Sequence, residues 1–277
     1  MVTDLPIIGY YDRQRFTQFN PADAANWYMV PSEIGKKKVA MYPTMGRNHV
    51  RFLNQNRLNF GQTPRAIYKS INYWYSVVND QIFRIDKFFN QIEITTTTKL
   101  STINGNIFFD YLVAGDPAIA GNTTYACFTD GQKLYIYSET AGTFGPVTDA
   151  NLPKNPLFIA TFGNRLAVSG EGSSTFGLSV INLGGATVNL ATCFTVNSNA
   201  LFAQESGIIR QMGVLQNTLY IFTDFTTGLW SNIPSQFTST GGTVSTFPWK
   251  KNTTIEWDFG MADPNSLDID FGTMAWE

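Results

Sequence analysis

One local pattern recurs along most of this chain and constrains its fold more than any other feature. It is a short apolar strand, a tight polar turn, then a strand alternating apolar-x-apolar. It appears as Tyr75-Ser76-Val77-Val78, turn Asn79-Asp80, then Ile82-Phe83-Arg84-Ile85. It returns as Tyr125-Ala126-Cys127-Phe128, turn Asp130-Gly131, then Leu134-Tyr135-Ile136-Tyr137. A third copy is Leu157-Phe158-Ile159-Ala160, turn Gly163-Asn164, then Leu166-Ala167-Val168, and a fourth is Arg210 to Val214, turn Gln216-Asn217, then Leu219 to Phe222. The dipeptide Asn104-Gly105 between Thr102-Ile103 and Ile107-Phe108-Phe109 reads as a fifth. Asn, Asp and Gly tolerate the positive φ that a two-residue hairpin turn requires, so each copy predicts a β-hairpin.

The turns fall near residues 80, 130, 163 and 216, a spacing of roughly 35 to 55 residues. That period suits one recurring hairpin per blade of a β-propeller. A β-sandwich, the alternative all-β architecture, places turn signals every 8–12 residues or so. The sequence therefore predicts an all-β, β-propeller-like fold over residues 61–277, preceded by an irregular N-terminal segment, residues 1–60. Within that segment Asn20 to Tyr28 reads as a helical turn. Asn26 to Val30 and Lys38 to Tyr42 read as a hairpin joined by Pro31 to Lys37. Gly170 to Thr175 and Ser235 to Thr246 read as inter-strand loops. Phe83, Leu134, Tyr135, Ile136, Leu166, Val168, Leu219 and Ile221 are the expected core, with alternation turning some of them outward.

Composition agrees with strands and adds a hint of assembly. Charged residues make up 14% of the chain, and 22 Phe and 12 Tyr accompany abundant Thr, Asn and Gly. Aromatic and Thr side chains suit a pleated, half-buried surface. A surface so poor in charge is tolerated best when it is permanently packed against neighbours. The net charge of −2 excludes a global basic field for nucleic acid. The run Lys36-Lys37-Lys38 after Gly35 reads as a solvated turn. Cys127 and Cys193 sit in apolar stretches without metal-ligand spacing, as expected of buried free thiols. The N-terminus shows no basic and apolar regions of a signal peptide, and no apolar run reaches the roughly 20 residues of a membrane span, so the expectation is folding in a cytosol.

Chemistry-bearing constellations are weak. His49 is the single histidine and lacks any neighbouring nucleophile motif. Asp263, Asn265, Asp268 and Asp270 offer oxygen ligands, but the bidentate glutamate and mid-loop glycine of a calcium loop are missing. Asp110, Asp116, Asp130, Asp224 and Asp258 are the carboxylates from which a glycosidase pair would be drawn. The sequons Asn122-Thr123-Thr124 and Asn252-Thr253-Thr254 matter only to a secreted chain. The sequence assigns no catalytic, cofactor-binding or metal-ligating residue and predicts no enzyme.

The stretch Asn26-Trp27-Tyr28 followed by Gly35-Lys36-Lys37-Lys38-Val39-Ala40-Met41-Tyr42-Pro43-Thr44-Met45-Gly46 resembles the opening of a known family. So do the hairpin Tyr73 to Ile85, the run Ser206 to Arg210 with Leu219 to Thr223 and Gly228-Leu229-Trp230, and the closing Asp270 to Glu277. The family is the packaged-DNA stabilisation proteins, or tail nozzle (hub) proteins, of short-tailed bacteriophages. Met45 departs from it, standing where a second proline is common. The resemblance implies a structural virion protein of the tail, assembled in the bacterial host cytoplasm as a homo-hexameric ring below the head-to-tail adaptor. Its partners would be that adaptor, tail needle, spike or fibre proteins, and double-stranded DNA passing non-specifically through the channel, with no membrane span. It implies no catalytic residues, and family members continue past the position of Glu277. Pro6 to Tyr42 and Phe237 to Trp249 are the expected subunit contacts because neither fits the blade pattern. The competing reading is a carbohydrate-binding or glycoside-hydrolase β-propeller.

Overall fold

The computed structural model describes residues 64–116, 121–184, 188–196, 199–233, 235–238, 244–253, 257–258, 260–261, 267–270 and 273–275, and strands 27–31 and 39–43. The chain divides into two compact units, Met1–Arg51 and Phe52–Glu277. In the first, β1 (Trp27–Pro31) pairs antiparallel with β2 (Val39–Pro43), the hairpin expected there. Of the helical turn expected over Asn20 to Tyr28, Trp27 and Tyr28 belong instead to β1, where the ladder with β2 claims their backbone. Its remaining residues, the Lys36–Lys38 run and His49 lie outside the described residues.

In the second unit the strands form consecutive antiparallel sheets, each a blade. Blade 1 runs in order β3 (Pro64–Lys69), β4 (Trp74–Val78), β5 (Gln81–Ile85) and β6 (Gln91–Glu93). Blade 2 holds β7 (Phe108–Asp116), β8 (Gly121–Thr129), β9 (Leu134–Ser138) and β10 (Phe144–Pro146). Blade 3 begins with β11 (Pro156–Phe162), β12 (Arg165–Gly170) and β13 (Thr175–Leu178). It is completed by β14 (Thr195–Val196) and β15 (Asn199–Gln204), in the order β11-β12-β13-β15-β14. Blade 4 begins with β16 (Ile209–Leu215), β17 (Thr218–Thr223) and β18 (Thr227–Ser231). The pair β19 (Ser235–Thr238) and β20 (Val244–Phe247) follows, and then β21 (Lys250–Lys251) completes blade 4 beside β18. A last pair joins β22 (Asp268–Asp270) to β23 (Thr273–Ala275). A two-sheet sandwich is thereby overturned.

The blades stack face to face in chain order. One core cluster joins blades 1 and 2 through Tyr75, Val77, Ile82, Phe128 and Tyr135. A second joins blades 2 and 3 through Leu112, Leu134, Ile136, Ile159 and Val168. A third joins blades 3 and 4 through Phe158, Phe176, Leu219, Ile221 and Trp249. Period-two alternation therefore sends side chains to two different cores. On β9, Leu134 and Ile136 pack towards blade 3 while Tyr135 and Tyr137 pack towards blade 1. All eight expected core residues are buried, and none is turned out to solvent as simple alternation suggested; on β9 this is because both faces meet a neighbouring blade.

Four of the five turns lie where expected. Gly163 and Asn164 (φ 56° and 59°) and Gln216 and Asn217 (φ 47° and 60°) both adopt the double left-handed conformation of a two-residue hairpin. Asn79 and Asp80 link paired Val78 and Gln81. Asp130 and Gly131 begin a loop between paired Thr129 and Leu134. The turns are not equivalent, however. In blades 1 and 2 they join the second strand to the third, and in blades 3 and 4 the first to the second.

Asn104-Gly105 is a correction. It lies in the irregular link between blades 1 and 2, where Ile103 is exposed and no ladder forms. The Arg65 guanidinium gathers that link instead, donating to the carbonyls of Thr102 (2.7 Å), Gly105 (3.0 Å) and Asn79 (2.9 Å). Ser235 to Thr246, expected to be a loop, contains a strand pair, because its threonines favour strand as readily as turn.

Candidate functional site

Of the carboxylates singled out from the sequence, Asp110, Asp130 and Asp224 each make separate structural contacts. Asp130 organises its own loop. Its carboxylate accepts the backbone N–H of Ser101 (2.8 Å), Gln132 (3.0 Å) and Lys133 (2.8 Å). Asp224 follows β17 and forms an ion pair with Arg210 at 3.6 Å. Asp258 follows the isolated bridge between Thr227 and Trp257. The side chains of Asp116, Asp268 and Asp270, and all of Asp263 and Asn265, lie outside the described residues. Among the described residues no three His, Cys, Asp or Glu converge as metal ligands would. On β8, Thr123 and Thr124 of the first sequon are buried.

Asp110 bridges two blades. It sits on β7, cross-strand from Cys127, and its carboxylate accepts the N–H of Tyr111 (2.7 Å) and of Thr161 on β11 (2.5 Å). It thus latches the first strand of blade 2 to the first strand of blade 3. Burial pushes its carboxyl up to about 6, against the pull of those donors. A carboxyl raised by folding stabilises the native state below its unfolded pKa, and that contribution is lost as pH rises through the folded value. Acidification from pH 7.5 to 5 should therefore raise the melting temperature of the parent chain more than that of Asp110→Asn. Equal pH slopes in the two proteins would refute a carboxyl raised by burial.

Cys127 and Cys193 are buried free thiols in the core between blades 2 and 3. Burial pushes Cys193 up to about 12 and raises Cys127 as well, so neither is poised as a nucleophile.

Two glutamates missed from the sequence fasten blades together. Glu139, on the turn after β9, accepts hydrogen bonds from blade 1, namely Ser70 Oγ (2.6 Å), Asn72 Nδ2 (2.9 Å) and Tyr75 Oη (2.7 Å). Glu205, after β15, accepts the Trp230 indole N–H and pairs with Lys251 Nζ at 2.7 Å, both in blade 4. The available signal was a lone carboxylate beside apolar strands in a chain with few charges.

A cleft opens beside the first fastener. It has a volume of about 400 Å³ and is lined by Asn72 and Tyr73 from the β3–β4 turn, by Arg84, by Asp86, Lys87, Phe88 and Asn90 of the β5–β6 turn, and by Ile92. The Arg84 guanidinium lies 4.4 Å from the Tyr73 ring centroid, and its Nη1 donates to Tyr137 Oη at 2.8 Å.

Consecutive antiparallel blades stacked face to face, with cores on both sides of each inner blade, define an all-β, β-propeller-like protein. No protein-family model matches the chain, and no curated protein matches it in sequence. Among solved structures it is similar to Hsv2 of Kluyveromyces lactis, at 9% identity and TM-score 0.36, covering 61% of this chain and 46% of that one. It is also similar to a streptogramin B lyase, at 11% identity and TM-score 0.39, covering 80% of this chain and 62% of that one. The matched region spans less than two thirds of either structure, and the fold assignment rests on the strand pairing itself.

Proposed function

We propose that this chain is a non-enzymatic structural subunit of a ring-shaped virion assembly, the tail nozzle or hub of a short-tailed bacteriophage. The observation carrying this reading is the use of its buried or half-buried carboxylates. Asp110, Glu139 and Glu205 each join one blade to the next, which suits a rigid scaffold better than acid–base chemistry. The sequence resemblance and the low charge content agree. A channel that passes DNA gains from few clustered cations, since each phosphate neutralised would strengthen its grip on the polyanion. In this reading the ring is hexameric, lies below the head-to-tail adaptor and touches needle, spike or fibre proteins.

A ring needs a heterologous interface, in which one surface meets a different surface of the next copy. Phe247 and Trp249, expected from the sequence to belong to such a contact, are instead buried between blades 3 and 4. Mass photometry of the purified chain should give hexamers, and imaging of the parent particle should place them on the portal axis. A monomer without virion association would overturn the assignment.

A further inference from the structure

We propose that the cleft on blade 1 is a saccharide-binding site. This goes beyond the nozzle reading and does not depend on it.

The polar groups of the cleft are fixed before any ligand arrives. Arg84 is held by the Tyr73 ring and the Tyr137 hydroxyl, and among the described residues its other N–H groups make no hydrogen bond. Asn72 Nδ2 is committed to Glu139, and Asn90 Nδ2 to Asp86 Oδ2 at 2.8 Å. Anchoring each amide through its nitrogen leaves the carbonyl oxygen as an acceptor in a known direction. Groups locked by a second contact lose little freedom on binding.

The apolar part is equally fixed. Asp86 Oδ1 accepts the N–H of Phe88 (2.8 Å) and Asn90 (2.9 Å), and the Asp86 carbonyl accepts the N–H of Phe89 (3.0 Å). This turn holds Phe88 72% and Phe89 65% exposed, with Phe89 at φ 64°. Exposing two adjacent aromatic rings costs stability, and so does left-handed backbone at a bulky residue. Ile92, also lining the cleft, is 53% exposed.

A flat apolar ring beside rigid amide, guanidinium and carboxylate groups suits a pyranose. Its C–H face needs an apolar plate, and its hydroxyls need paired donors and acceptors. Other ligands fit less well. Arg84 and Lys87 face one carboxylate, Asp86, so the lining admits an acidic sugar as well as a neutral one, whereas a bare phosphate would leave the apolar surfaces of Phe88 and Ile92 unused. One carboxylate is too few for a divalent cation. An apolar peptide would strand the polar half of the lining.

The test is saturation-transfer NMR on the purified full chain, using maltohexaose and cellohexaose as neutral probes and hexagalacturonate as the acidic one. Binding of a neutral probe is expected, weakened about tenfold by Phe88→Ala and comparably by Asn72→Ala. Phe225→Ala, an equally exposed aromatic in blade 4, should leave it unchanged. Binding of the acidic probe alone, lost in Arg84→Met, supports the site with Arg84 reading a carboxylate. Failure of all three probes to bind would overturn the proposal, as would binding indifferent to both Phe88→Ala and Asn72→Ala in variants that melt like the parent.

Discussion

Glu205→Ala is expected to destabilise the protein by about 3–5 kcal/mol, a large part of the roughly 5–15 kcal/mol that holds a domain folded. The Glu205 side chain is fully buried, and the Lys251 partner is 23% exposed. Truncation leaves the Trp230 indole N–H without this acceptor in a buried position, and removes the counter-charge from a Lys251 ammonium that water reaches only in part. The pocket is also tight. A Cβ on Gly228 would come within 2.6 Å of Glu205 Oε1, so the strand carrying Trp230 approaches only because that position is glycine. Glu205→Gln keeps an acceptor for Trp230 but removes the charge, and should cost less than alanine. Glu205→Leu combined with Lys251→Met should recover part of the loss, since replacing both members of a buried pair avoids the stranded charge. Denaturant unfolding measures all of these. A cost below about 1 kcal/mol for Glu205→Ala would mean that the pair contributes no more than a surface bridge.

Much of this fold was legible because hairpins announce themselves locally. Gln216-Asn217 and Gly163-Asn164 needed nothing beyond two residues able to adopt positive φ between apolar runs. The failures share one physical cause, which is that tertiary partners decide what local chemistry leaves open. Asn104-Gly105 has the strongest turn signal of the set, yet Arg65, some forty residues earlier, claims its backbone carbonyl. Alternation on β9 was readable, but no sequence pattern says that both faces meet apolar neighbours. The fasteners were harder still. Glu139 and Glu205 act on residues far away in the chain, so their roles exist only once the blades are stacked. The cleft was illegible for the same reason, since Arg84 gains its fixed position from Tyr137 in the next blade.

Trp249→Ala should be comparably damaging, at about 3–5 kcal/mol, but through lost packing rather than stranded charge. Trp249 is fully buried on the bend between β20 and β21, among the largest side chains so enclosed. Its ring meets Phe162 at 5.1 Å, Phe176 at 6.3 Å and Phe247 at 6.5 Å, so it wedges the approach to β21 against two strands of blade 3. Those rings cannot collapse far into the space left by the indole, because Phe176 is also braced edge-on by Trp230 at 5.2 Å. Trp249→Phe, which keeps an aromatic plate, should cost clearly less. Native-state hydrogen exchange gives the spatial test. Protection should fall first in β13 and β21 while β9, enclosed between blades 1 and 3, stays protected. Uniform loss along the chain would refute a wedge specific to the blade 3–blade 4 boundary. Trp230 touches both Phe176 and the Glu205 carboxylate, so Trp249→Ala and Glu205→Ala share a neighbour. Their effects should therefore not add. The double variant is expected to lose at least about 0.5 kcal/mol less than the sum of the singles, because whichever change comes first already loosens Trp230.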